Sequence, residues 1–335
     1  MVGWRRAGAR IRGHAVRRVG AGHDDARDRS HRASHTGERP TRVIAIVGPT
    51  ASGKSALALR VAEALGGEIL SADSRQVYRG MDIGTAKPTR AERARVPHHM
   101  IDVADPGERY DVFRYQRDAR AALDGIAARG RAVVVVGGTG LYVRALLDGL
   151  DLASVPTDPV LRAKIEADAA RDGPEALHRR LQELDPEAAA HVDARNVRRV
   201  VRYVEAALLT GGLTASWKRD GAIPASRIGL APPRETLIGA IETRVTRMVD
   251  AGVLDETRAL LAPGLDPTLP SFSGHGYVHW AKHLAGAITL DEAMRLTVRD
   301  TRRYSRRQMT WFRRDGAIRW VDPATEDPLP ATLSG

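Results

Sequence analysis

The sequence predicts an α/β fold, a parallel sheet flanked by helices, with an all-α domain inserted into it. Three observations carry that expectation. Val43-Ile44-Ala45-Ile46-Val47 is a short, unbroken, mostly β-branched run, as expected of a strand buried on both faces. It runs directly into Gly48-Pro49-Thr50-Ala51-Ser52-Gly53-Lys54-Ser55, which fits the pattern G-x-x-x-x-G-K-[ST], and a helical stretch follows. Strand-like and helix-like stretches then alternate to about residue 150, the pattern of a parallel sheet. The core is therefore expected to be P-loop NTPase-like.

The elements follow in order. Residues 1–40 hold ten arginines and four acidic residues, with few large apolar side chains. Such a segment cannot bury enough surface to offset its ordering entropy, so it is expected to be a disordered basic leader. Its expected role is dispensable; an RNA-grasping arm is the alternative. The P-loop α/β core is assigned to 41–150. After the first strand, Ala56 to Leu65 has helical periodicity and stops at Gly66-Gly67. Glu68-Ile69-Leu70-Ser71 is a second strand closing at Asp73, taken to lie beside the first. Tyr115 to Arg129 is a helix, and Ala132 to Val136 a third buried strand ending in Gly137-Gly138-Thr139-Gly140.

Near Asp151 the character changes. Pro156, Asp158 and Pro159 mark a hinge-like start, and long helical patterns run from Val160 to about Leu209, ended by Gly211-Gly212. Residues 151–215 are assigned to the inserted helical domain. Arg227 to Leu230 can return the chain to the sheet, with Glu235 to Leu261 and Asp291 to Arg313 as further helices. Residues 216–320 are thus a return to the core, and 321–335 a flexible tail.

Composition narrows the function. With 335 residues, 43% of them hydrophobic and 28% charged, the chain can build a sizeable core and about two domains. It has no cysteine, which excludes disulfides, thiolate nucleophiles and cysteine-bound zinc. No apolar run approaches the roughly 20 residues that span a bilayer. A soluble cytoplasmic protein, with no membrane partner, is expected. The formal net charge of +11 raises nucleic acid as a partner. Arg195, Arg198, Arg199 and Arg202, and again Arg295, Arg299, Arg302 and Arg306, recur at helical spacing. They could track phosphates or be solvated helix faces.

The chemistry begins at Gly48 to Ser55. Backbone N–H groups at a helix start cradle phosphates, Lys54 would hold terminal phosphate oxygens, and Ser55 would ligate Mg²⁺. The third strand lacks the terminal aspartate that P-loop kinases use for Mg²⁺. Its glycines leave room for a close approach. Parallel strands present their C-terminal ends to the ligand crevice, so Asp73 and Thr139 should lie near the bound phosphate. Asp73 can be a general base, a metal ligand or a turn cap. His275, His279 and His283 recur every four residues, but without an accompanying carboxylate triad they are read as surface or packing histidines.

The stretch Asp73-Ser74-Arg75-Gln76-Val77-Tyr78-Arg79-Gly80-Met81-Asp82-Ile83-Gly84-Thr85-Ala86-Lys87-Pro88 resembles the signature of tRNA dimethylallyltransferases. So do residues 48–55, Gly-Gly-Thr-Gly-Leu-Tyr at 137–142, and the basic block 301–313, in the family's order. The resemblance covers about residues 43–320. It implies transfer of a dimethylallyl group from dimethylallyl diphosphate to N6 of adenine 37, in tRNAs reading codons that begin with U. By the same resemblance, Thr50 to Ser55 bind the diphosphate and Ser55 the Mg²⁺. Asp73 takes the proton of the adenine amine, Thr139 lies near the bridging oxygen, and Arg244 stabilises the leaving diphosphate. Asp73, Ser74, Arg75, Gln76, Gly140, Ala163, Arg198, Arg199 and Arg202 fall where the family touches the anticodon stem-loop of tRNA, and Ser273 to Val278 in a further contact stretch. That stretch departs from the family's Ile-Gly-Tyr-Lys-Glu pattern, reading His275-Gly276-Tyr277-Val278-His279 here. A monomer is expected. The rival readings are an adenylate isopentenyltransferase acting on free nucleotide, a P-loop kinase of a small metabolite, and a non-catalytic RNA-binding P-loop protein.

Overall fold

In the computed structural model, residues 41–150, 157–211, 221–274 and 276–334 are described; the basic leader 1–40 and His275 are among those outside them. β1 (Val43–Val47) is buried at every position and passes through the phosphate turn into α1 (Lys54–Leu65). β2 (Glu68–Ser71) is followed by a long excursion holding α2 (Arg90–Arg95) and the two-residue β3 (His98–His99). Next come α3 (Val112–Ala128), β4 (Val133–Gly137) and α4 (Gly140–Leu147). The inserted unit comprises α5 (Pro159–Asp172), α6 (Pro174–Leu184), α7 (Pro186–Ala190) and α8 (Val197–Thr210). β5 (Ser226–Leu230) rejoins the sheet. α9 (Arg234–Asp250), α10 (Val253–Leu261), α11 (Tyr277–Leu284) and α12 (Leu290–Phe312) follow, then β6 (Ile318–Val321) and α13 (Pro328–Leu333).

The six strands lie in the order β3-β2-β4-β1-β5-β6, and every neighbouring pair is parallel. Alternation along β1 builds two cores. Ile44 and Ile46 join Leu57 and Val61 of α1, while Val43, Ala45 and Val47 join the larger cluster holding Tyr115 and Ile126 of α3. Among the described residues no helix is long and apolar enough to cross a membrane.

Three expectations change and one gains detail. First, β2 is not the neighbour of β1, because β4 lies between them. The central places go to the two wholly apolar runs, which need cover on both faces. β2 carries Glu68, buried but held by Arg129 and His99, and sits one place further out. Second, the helical patterns of 160–209 resolve into four helices. Pro174 and Pro186 each start a new one, and Asn196 caps the last by accepting from the Arg199 N–H. These helices keep their own core of Ile165, Leu177, Leu181, Val200, Val201 and Val204. Third, the stretch 235–261 breaks at Gly252, whose φ of 93° no helix accommodates. Fourth, the expected flexible tail contains α13, which packs against α1. Leu329, Ala331 and Leu333 cover the apolar face there, and Asp327 pairs with Arg60.

Candidate active site

The C-terminal edge of the sheet carries a cavity of about 220 Å³ lined by the phosphate turn, Asp73, Gln76, Thr85, Gly137, Gly138, Arg244, Tyr304 and Gln308. Its floor is residues 50–55, at the start of α1. Lys54 is 9% exposed and donates from Nζ to the Pro49 carbonyl at 2.5 Å. Burial pushes its ammonium down to about 7, with Asp73 opposing the shift and Arg244 adding to it. Ser55 is exposed to the cavity, and the buried Ser52 hydroxyl has no hydrogen-bond partner among the described residues.

Not every group of the turn is open to a ligand. The Thr50 N–H donates to Gln308 Oε1 at 2.7 Å, and Thr50 Oγ1 accepts from Arg244 at 2.9 Å. Gln308 also donates from Nε2 to the Gly138 carbonyl at 2.9 Å. One amide of α12 thus joins the phosphate turn to the tip of β4.

Asp73 reaches this turn across β4, and the glycines there make that approach feasible. A Cβ on Gly137 would lie 2.1 Å from the Ala72 carbonyl oxygen, and one on Gly138 would lie 2.0 Å from Gln308 Nε2. Asp73 Oδ1 accepts from the N–H groups of Arg75, at 2.8 Å, and Gln76, at 3.4 Å. Oδ2 has no hydrogen-bond partner among the described residues. The turn-cap and base readings of Asp73 are therefore compatible, with one oxygen available for each.

Arg244 comes from α9, and burial lowers its pKa while Asp73 opposes the shift. Its second bond runs to the Thr85 carbonyl at 3.4 Å. Gln76 donates to the carbonyls of Thr85 and Ala86 at 3.4 and 3.2 Å and accepts from Ser71 Oγ at 3.0 Å. Thr139 lies at the same edge of the sheet, just past the end of β4. Its Oγ1 accepts from the Ser74 N–H at 3.0 Å and also bonds Tyr304, and it is not among the cavity-lining residues. It ties the tips of β2, β4 and α12 together.

The residues matched to tRNA contact fall in two groups. Ser74, Arg75 and Gln76 adjoin the cavity. Arg75 donates to the Pro270 carbonyl and to Ser273 Oγ, so the first and last contact stretches lie against one another. Gly140 is packed under Trp311, itself 38% exposed, while Phe312 is buried. Ala163 on α5 and Arg198 and Arg199 on α8 are exposed on the helical unit, and none of them lines the cavity. Arg202 is held by the buried Glu205, which also binds Arg162 and the Asp158 N–H. His279 bonds Asp300 and His283 the Ile288 carbonyl, in keeping with packing roles.

Sequence reasoning missed Gln308 and Tyr304 as site residues. The signal was present: Ser305, Gln308 and Phe312 share the buried face of α12, and an amide on such a face must be hydrogen-bonded. It also missed the internal role of Lys87, whose Nζ is 1% exposed on its side chain and bonds Tyr78, Asp82 and Asp102.

A parallel sheet with a phosphate turn after its central strand, a buried lysine, a part-buried arginine and one carboxylate across a glycine-ended neighbour defines a protein of the P-loop class, an arrangement that suits an anionic phosphate ester. The family follows from comparison. The sequence model of the IPP transferase family matches residues 76–315, and that of isopentenyl transferase matches residues 41–102. The chain belongs to the IPP transferase family. It is 46% identical to the tRNA dimethylallyltransferase of Geobacter metallireducens over 304 residues, covering 89% of this chain and 98% of that one. It is 47% identical to the Thermomicrobium roseum protein of the same name over 282 residues, covering 84% and 86%. The crystal structure of the full-length tRNA isopentenylpyrophosphate transferase of Bacillus halodurans matches at a TM-score of 0.65 and 40% identity, covering 88% of this chain and 93% of that one.

Proposed function

We propose that the protein transfers a dimethylallyl group from dimethylallyl diphosphate to the exocyclic N6 of adenine 37 in tRNAs reading codons that begin with U. One observation carries the reading: Asp73, Lys54, Arg244 and the open end of the phosphate turn share one cavity. Family membership and the names of the relatives supply the substrate class.

In the reaction the allylic C1–O bond breaks, the N6–C1 bond forms, N6 loses a proton, and diphosphate leaves. The N–H groups of Ala51 and of residues 53–55, the Ser52 hydroxyl and Lys54 hold the diphosphate. Lys54 and Arg244 sit where negative charge grows, so they stabilise the transition state more than the ground state. The adenine amine is a weak nucleophile and must be positioned as it attacks. Asp73 accepts its proton on the oxygen not used by the turn. The base is stacked inside an RNA loop, so it must be extruded to reach the cavity. The α/β core and the exposed Arg198 and Arg199 of α8 suit a clamp on the anticodon stem-loop.

The oxygen donors fit Mg²⁺. No group of three His, Asp or Glu able to cage a metal occurs among the described residues, and Mg²⁺ prefers one or two protein oxygens plus water and substrate phosphate. Ser55 would supply such an oxygen, with water and substrate phosphate completing the set. When bound, the ion neutralises charge on the diphosphate. A soluble cytoplasmic monomer completes the proposal.

Incubation with dimethylallyl diphosphate, Mg²⁺ and either unmodified tRNA or AMP tests it. Prenylated tRNA is the expected product. Prenylated AMP, or no transfer to either, overturns the reading. Asp73→Asn should lower turnover about 10²–10⁴-fold with tRNA affinity unchanged.

A further inference from the structure

We infer that Glu256 is a positioning residue for the reaction: it clamps the loop 82–86 whose carbonyls aim Arg244 and Gln76 into the active cavity. The inference rests on the proposed function. Glu256 lies on α10 and does not line the cavity. Its Oε2 accepts the N–H groups of Asp82 and Ile83 at 2.8 and 2.7 Å. Its Oε1 accepts the Gly84 N–H at 3.0 Å and the Tyr277 hydroxyl at 2.6 Å. Four donors fill the acceptor capacity of one carboxylate. Three consecutive backbone N–H groups converging on one side chain fix the loop as an anion nest fixes a ligand.

The loop has little freedom elsewhere. A Cβ on Gly84 would lie 2.5 Å from the Tyr277 ring, so the backbone presses directly on that aromatic. Burial and the neighbouring Glu256 raise the Tyr277 pKa, which keeps its hydroxyl a donor. On the far side, the Lys87 ammonium bonds Asp82. The next residues, Thr85 and Ala86, line the cavity, and their carbonyls receive Gln76; that of Thr85 also receives Arg244. Arg244 otherwise contacts only the Thr50 hydroxyl among the described hydrogen bonds. Its aim toward the leaving group is set by a loop that Glu256 holds from outside.

Glu256→Gln replaces one acceptor oxygen by an NH₂ that faces donors, so the loop must shift. The expected result is a loss in single-turnover rate of about tenfold, since small displacements of positioning groups carry costs of this order or more. A structural role alone would not produce the second signature. In an Arg244→Ala background the same substitution should cost less than about twofold, because the group it aims is gone. Glu256→Asp keeps the charge but is one methylene shorter; it should show a smaller loss with the same dependence on Arg244, and it carries the test if the glutamine variant does not fold. Wild-type rates in the folded variants, or an equal loss with and without Arg244, overturn the inference. Failure of the proposed function is distinct, since the wild-type protein itself would then transfer no prenyl group to tRNA.

Discussion

Lys54 shows how a side chain can be costly to the fold and necessary to the site. In the folded chain its ammonium holds a proton only below about 7, against an ordinary 10.5. Between those values the unfolded state binds more protons, so stability rises with pH across that window. The cost of burying the charge is fully present below pH 7 and vanishes above 10.5. Lys54→Met should therefore gain about 1–3 kcal/mol at pH 6, shrinking toward zero near pH 10, as read by urea denaturation. Transfer activity should be lost at every pH. A pH-independent difference would mean the charge is not the cause. Lys54 was legible in the sequence because its motif is local. The partner of Gln308 was not, because Thr50 lies 258 residues away and only the folded chain brings them together. Arg244 rested on resemblance alone, since nothing in Glu242-Thr243-Arg244 marks it off from other helical arginines.

At the scale of elements, the tip of β4 decides whether the carboxylate and the phosphate turn can meet. β4 lies between them, so any side chain at its end would keep them apart. Gly137→Ala places a methyl against the Ala72 carbonyl and should cost about 1–3 kcal/mol, with reduced turnover as the β2 tip shifts. Gly239→Ala, on α9 with nothing within 4 Å, should instead gain about 0.5–1 kcal/mol and leave turnover intact. Thermal or urea melts of the two variants check the opposite signs; two changes of the same sign would show that the close approach at Gly137 is not tight. The sequence announced the sheet through its apolar runs but not its order. Strand neighbours depend on which runs need cover on both faces, and only β1 and β4 are apolar throughout. α13 escaped because its apolar residues become a face only once α1 lies beneath them.

Across the whole molecule, the arginine stripes offer less positive charge than their spacing suggests. Along the arginine stripes, Arg195 pairs with Asp193, Arg202 with Glu205, Arg295 with Glu292 and Arg299 with Asp300. The Arg195 and Arg295 pairs are close to neutral at long range and have little to offer a phosphate, whereas Glu205 and Asp300 are each shared by two arginines. Arg198 is exposed and has no acidic partner among the described ion pairs. RNA binding through such groups releases counterions, so each phosphate contact adds about 0.7–0.9 to the slope of log K against log salt. Arg198→Ala should therefore weaken tRNA binding uniformly across sequences and reduce the slope by about 1. Arg295→Ala should leave it unchanged, because the charge it removes is already matched. Removing residues 1–40 deletes ten arginines and four acids, which would flatten the slope markedly if the segment gripped RNA. The clamp proposed here uses the core and α8, so the slope of the shortened chain should match that of the full one. Filter binding of one tRNA at several salt concentrations separates the three variants. A flattened slope after removal of residues 1–40 would make that segment part of the clamp, and an unchanged slope for Arg198→Ala would take α8 out of it.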